Sequence, residues 1–204
     1  MSQRIFNIIL GMDLKNIETQ LALQCAPVIT GLKPANLLII DNYSVMGLQT
    51  IMEETSLSCY QLLKTEQKTI FFLYNARLLR TYLAGARIMD FLRKLGYKNM
   101  DLENILALFQ LRYKAYKSGS QPFPHEMGLL LGYPLEDVEG FIKNEGRNSL
   151  YTGCWKVYSN LPEKVKLFAA YERAKETLLY QIANGISMLD IMKTYRYQLQ
   201  SAAI

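Results

Sequence analysis

The chain has 204 residues, half of them hydrophobic and a fifth charged, a balance that excludes intrinsic disorder and suits one globular domain over residues 1–204. Lys and Arg number 23 against 18 Asp and Glu, a net charge of +5, which favours an anionic partner without demanding nucleic acid. No apolar run is long enough to span a bilayer, and Cys25, Cys59 and Cys154 are too scattered to frame a disulfide scaffold.

The stretch Ile5–Leu10 is apolar but gives way at once to Gly11 and Asp13, so it is too short for the core of a signal peptide. A reducing cytoplasm is the expected setting, with no membrane partner. Residues 14–25 then have the pattern of a first helix, which Pro27 is expected to stop. Gly31–Asn36 (GLKPAN) is turn-like, and Leu37–Ile40 is an apolar run closed by Asp41 and Asn42, which predicts a short strand. Cys59–Lys64 and Thr69–Asn75 read as a hairpin around the loop Thr65–Lys68.

From residue 76 the periodicity turns helical. Leu78, Tyr82, Ala86, Met89 and Leu92 predict one helix over 76–95, ended by Gly96. Leu102, Ile105, Phe109, Tyr113 and Tyr116 predict another over 101–117, followed by a loop at Ser118–Pro124. Pro134 opens a shorter helix through Leu135, Val138, Phe141 and Ile142, which Gly146 closes. Gly153–Ser159 (GCWKVYS) fits a strand. Asn160 and Glu163 have the spacing of a capping box for a helix running to about Asn184, and Ser187 caps a last one ending near Gln198. The sum is an α+β fold: a small, mainly antiparallel sheet of about four strands, surrounded by about six or seven helices, with a helix-rich C-terminal half.

His125 is the only histidine. An imidazole titrates near neutrality, so His125 with the adjacent Glu126 is a candidate acid–base pair; the plainer role is a helix cap or a packing ring. The two do not make a zinc-protease motif, because Leu129 stands where the second histidine is needed. One histidine and three separate cysteines offer no ligand pair at zinc-finger spacing. The carboxylates Glu126, Glu136, Asp137 and Glu139 read most simply as solvated groups near the positive end of a helix. Cys154 is either a thiol for which His125 would act as base or a small hydrophobe in a strand. Gly146, Gly153 and the amides around Arg147–Asn148 suit an anion-holding concavity or a set of ordinary turns. Arg77, Arg80, Arg87 and Lys94 fall within an arc of about 100° on the 76–95 helix. Arg112, Lys114 and Lys117 interleave with Tyr113 and Tyr116. Such groups serve phosphate contacts and base stacking, or simply a solvated face.

The segments FPHE (123–126), GYPLEDV (132–138), GFIKNEGRN (140–148) and WKVYS (155–159), with LKPANL at 32–37, together resemble a bacterial family catalogued as domain-of-unknown-function family 3793, found mainly in anaerobic Firmicutes. The resemblance implies a cytoplasmic protein with a tie to metal or redox physiology, through gene neighbourhoods that hold flavodoxins and ferrous-iron transporters. The family often carries Cys near position 152 and an aromatic at 154. This chain has Thr152 and Cys154 there, which separates it from any thiol chemistry shared across the family.

Three functions are therefore expected in order. The first is a binding protein for a small anionic ligand or cofactor, with Lys33, Asn36, His125, Asn148 and Lys156 as polar contacts and Trp155 and Tyr158 as walls. The second is an enzyme using His125 and Glu126. The third is a nucleic-acid binder using helix 76–95. The first requires the Lys-Pro-Ala-Asn turn, the histidine and the tryptophan strand to meet around one hollow.

Overall fold

The structure, a computed structural model, describes residue 6 and residues 8–201, with side chains described as far as residue 196. Ile5, at the head of the stretch weighed against a signal peptide, lies outside the described residues. Two compact units are present: residues 1–76 with 169–204, and residues 77–168. Among the described residues, no helix is long and apolar enough to cross a membrane.

In the first unit, helix α1 (Ile17–Ile29) starts where the Asn16 side chain accepts from the Glu18 amide, a standard N-cap. Pro27 does not stop it, contrary to expectation, and lies inside the helix. Proline removes one amide donor, and this close to the end only one helical bond is lost. The Thr30 amide still bonds to the Ala26 carbonyl, and the Lys33 amide returns to the Pro27 carbonyl. Strand β1 (Ala35–Asp41) follows, then a 3-10 turn (Asn42–Ser44) and helix α2 (Val45–Glu53). The sequence reading passed over α2, a nine-residue helix of which Leu48 is the buried residue.

Strands β2 (Ser58–Lys64) and β3 (Lys68–Tyr74) form the expected hairpin. The sheet is antiparallel in the order β1-β3-β2, with Leu38 opposite Phe71 and Ile40 opposite Thr69. Pairing on both edges explains why β3 is almost continuously buried. Leu21, Cys25 and Ile29 of α1 join Leu38, Ile40 and Phe71 of the sheet in one apolar core. Leu178 of helix α8 (Leu161–Ala183) and Ile191 of helix α9 (Met188–Ser201) complete it. Ser187 accepts from the Asp190 amide at 3.2 Å and caps α9 as expected. Asn160 departs from the capping-box reading, because its side chain donates to the Glu163 carboxylate.

The second unit holds helices α3 (Ala76–Leu83, from its second residue), α4 (Ala86–Lys94), α5 (Leu102–Lys117), α6 (Glu126–Leu130) and α7 (Leu135–Lys143), with the start of α8. The helix expected over 76–95 is broken in two at Gly85, whose extended ψ of 126° ends one helix and whose carbonyl accepts from the Ile88 and Met89 amides to begin the next. Glycine disfavours a helix interior by about 1 kcal/mol relative to alanine, and here that weak point becomes a joint. The strand expected at 153–159 is shorter and separate from the main sheet. Strands β4 (Tyr151–Thr152) and β5 (Lys156–Val157) form a two-stranded ribbon of their own. The fold is thus α+β with a three-stranded sheet and a small ribbon, and nine α-helices are laid out among the described residues.

Candidate functional site

The ribbon is held to α7 by one carboxylate. Asp137 is 2% exposed; it accepts from the Trp155 indole Nε1 at 2.8 Å and from the amides of Tyr158 and Ser159 at 2.8 and 3.1 Å. Three donors satisfy a buried charge that would otherwise be costly. Asp137 therefore anchors the ribbon and does not solvate a helix face, as its position in the first turn had suggested. Gly140 makes the approach close: a Cβ there would lie 2.5 Å from the Tyr158 side chain. Gly128 does the same between α6 and α7, where a Cβ would meet Val138 Cγ2 at 2.8 Å.

Around this joint lies a cavity of about 250 Å³. Tyr133 and Trp155 line it as a stacked pair, with ring centres 4.7 Å apart and planes 24° from parallel. Trp155 is fixed in turn by the edge-on ring of Phe168 at 4.6 Å. The His125 ring also lines the cavity, in contact with Phe123 at 5.5 Å and Phe141 at 5.8 Å. Its nitrogens make no hydrogen bond among the described residues.

Lys156 brings a cation to the same cavity. Its Nζ donates to the Gly146 carbonyl at 2.5 Å, while Gly146, at φ 71°, closes α7 through a bond from its amide to the Phe141 carbonyl. An ammonium has three donors. No carboxylate pairs with this one among the described residues. Cys154 is exposed and lines the cavity as well. Burial, with the neighbouring Cys154 adding to it, pushes the Tyr133 phenol up to about 12, so Tyr133 stays neutral at physiological pH.

Glu126 faces elsewhere. It is 2% exposed and accepts from Tyr97 Oη at 3.0 Å and Arg112 Nη1 at 2.9 Å. The Arg112 guanidinium lies over the Tyr97 ring at 4.9 Å and also reaches the Leu95 carbonyl. Burial, then the Glu126 charge, holds the Tyr97 phenol far above its usual range. The acid–base partnership expected for His125 and Glu126 therefore lacks its geometry: Glu126 belongs to a buried structural triad and does not line the cavity. Arg112 leaves the basic patch for the same reason. Arg77 and Arg80 sit on α3 while Arg87 and Lys94 sit on α4, and Arg87 pairs with Glu139 at 3.1 Å. The single basic helix face proposed from sequence is not formed. Glu136, also expected to be solvated, pairs with the largely buried Lys164 at 3.2 Å.

Of the expected contacts, His125, Trp155 and Lys156 share the cavity. Tyr158 does not line it; its ring covers Gly140 and its hydroxyl is buried without a hydrogen bond. Asn148 is exposed in the turn after α7, at φ 55°. Lys33 and Asn36 belong to the first unit, where Lys33 is 5% exposed and donates to Asn36 Oδ1 at 2.6 Å. Asn36 in turn donates to the Gln24 carbonyl of α1. These two residues lock the turn between α1 and β1, and neither is among those that line the cavity.

Sequence reasoning missed Phe123, Met127, Tyr133 and Phe141, which line the cavity, and the role of Asp137. A signal was present. Asp137 and Phe141 are four residues apart on one helix, so they share a face, and Val138 puts that face inward.

A family model described as "Protein of unknown function (DUF3793)" matches residues 21–192. The chain belongs to this family. The DUF3793 match takes in every segment that carries the resemblance, from LKPANL to WKVYS, and so includes all the cavity's lining residues. No curated protein and no solved structure matches the chain.

Proposed function

We propose that this DUF3793 protein binds a small anionic ligand or cofactor in the cavity of residues 77–168. The observation that carries the reading is Lys156: a half-buried cation without a carboxylate partner among the described residues, lining a hollow walled by aromatic rings. Apolar walls with a few convergent polar groups are the usual make-up of a small-molecule site. A low-dielectric surround strengthens the attraction of an ammonium for an anion. His125 supplies a second donor, because an imidazole carries at least one N–H and its ring lines the same cavity. The dispersed cysteines fit a reducing cytoplasm, and the resemblance to the family implies a tie to redox or metal physiology.

Thermal shift against flavin mononucleotide, adenine nucleotides, a tetrapyrrole and small aromatic carboxylates tests the proposal. A ligand present at about 100 times its Kd stabilises the folded state by about 2.7 kcal/mol. At least one anion of the panel should raise the Tm of the wild type, and much less so that of Lys156→Gln. A panel without any stabilising member contradicts the reading.

A further inference from the structure

We infer that the ligand is a planar carboxylate of one or two rings, a narrower class than anions at large; this rests on the reading of the cavity just given. Size comes first. A volume of about 250 Å³ exceeds the ~150 Å³ that holds benzene and falls below the ~300–1,000 Å³ of sites for drug-sized molecules. Shape comes second. The walls include flat rings, the Tyr133–Trp155 stack and Phe141 among them, and a planar ring system covers such walls with the least loss of internal freedom.

Charge decides between carboxylate and phosphate. A phosphate dianion is normally held by several backbone amides, by an arginine fork or by a helix N-terminus with its donors free. Among the described residues, no arginine lines this cavity. Two helix starts border it: α6, whose N-cap His125 lines the cavity and whose first turn carries Glu126, and α7, with Glu136 and Asp137 in its first turn; carboxylates at both starts oppose a further anion there. Asp137 itself contributes a negative charge to the lining, although its oxygens already accept three donors. What remains is one ammonium and one imidazole, a set that matches a single carboxylate.

Naphthalene-2-carboxylate, its neutral isostere 2-naphthamide, phenyl phosphate and flavin mononucleotide separate the alternatives by calorimetric titration of the full chain. Iodoacetamide labelling of Cys154, the exposed thiol of the cavity, reports occupancy independently. The carboxylate should bind at least about tenfold more tightly than the amide, the worth of one charge-assisted hydrogen bond, and should slow Cys154 labelling. Lys156→Gln should erase that difference while Lys156→Arg keeps most of it. Equal affinity for carboxylate and amide overturns the inference. Binding of the flavin or the phosphate with none of naphthalene-2-carboxylate overturns the narrower class and leaves the anion site standing. Failure of all four probes to bind or to protect Cys154 overturns both.

Discussion

Two lysines, Lys33 of the first unit and Lys156 of the second, are withdrawn from water to different degrees and partnered in opposite ways. In the first, Lys33 is matched to Asn36 within three residues, and Asn36 is matched to the α1 backbone; the polar groups serve the fold. In the second, Lys156 meets a single carbonyl and opens onto a cavity. The cost of its partial burial is left for something else to offset. The lesson is that a residue's type and its turn-like setting do not assign its work. The identity of its partners does.

The comparison can be broken by mutation, and the largest effect is expected in the first core. Leu38→Ala removes a fully buried side chain from between α1 and the sheet and should cost about 2–5 kcal/mol in urea unfolding. Asp137→Ala comes next. It leaves the Trp155 indole and two amides without an acceptor, a loss of about 2–4 kcal/mol, and the tryptophan emission should shift as the ribbon loosens. Lys33→Met should fall lower, at about 1–2 kcal/mol, because it strands the Asn36 carbonyl oxygen, and it should leave ligand affinity unchanged. Lys156→Gln is the mirror case: at most about 1 kcal/mol of stability from one hydrogen bond, with ligand affinity reduced at least tenfold. The smallest change is chemical. Iodoacetamide at neutral pH should modify Cys154 alone, since burial holds the Cys25 thiol far above its ordinary range and pushes Cys59 up to about 12. Mass spectrometry of the labelled peptides checks it.

Much of the fold could be read from periodicity. The β2–β3 hairpin, α5, α7 and the capped start of α9 all follow from local pattern and turn residues, because neighbours in sequence decide them. The errors share a cause. Pro27 inside α1 and the break at Gly85 depend on whether the surrounding packing tolerates a lost bond, which no local pattern records. The ribbon at 151–157 has strand-like residues, but a strand joins a sheet only if a partner edge is offered. At the site, His125, Trp155 and Lys156 were legible as unusual residues in unusual company. Glu126 was misassigned because adjacency in sequence puts two side chains on different faces of a helix. Asp137 was overlooked because an acid in a first helical turn has a sufficient explanation at the surface, and only its three donors reveal the other one.

Trp155 is the sole tryptophan of the chain and lines the cavity, so its fluorescence reports on that site and no other. Titrating wild type and Lys156→Gln with the anion that gives the largest thermal shift tests the central claim. Saturable quenching in the wild type, displaced at least tenfold to higher concentration in the variant, is the result predicted. Quenching curves that superimpose, or an indole that never responds, would contradict it.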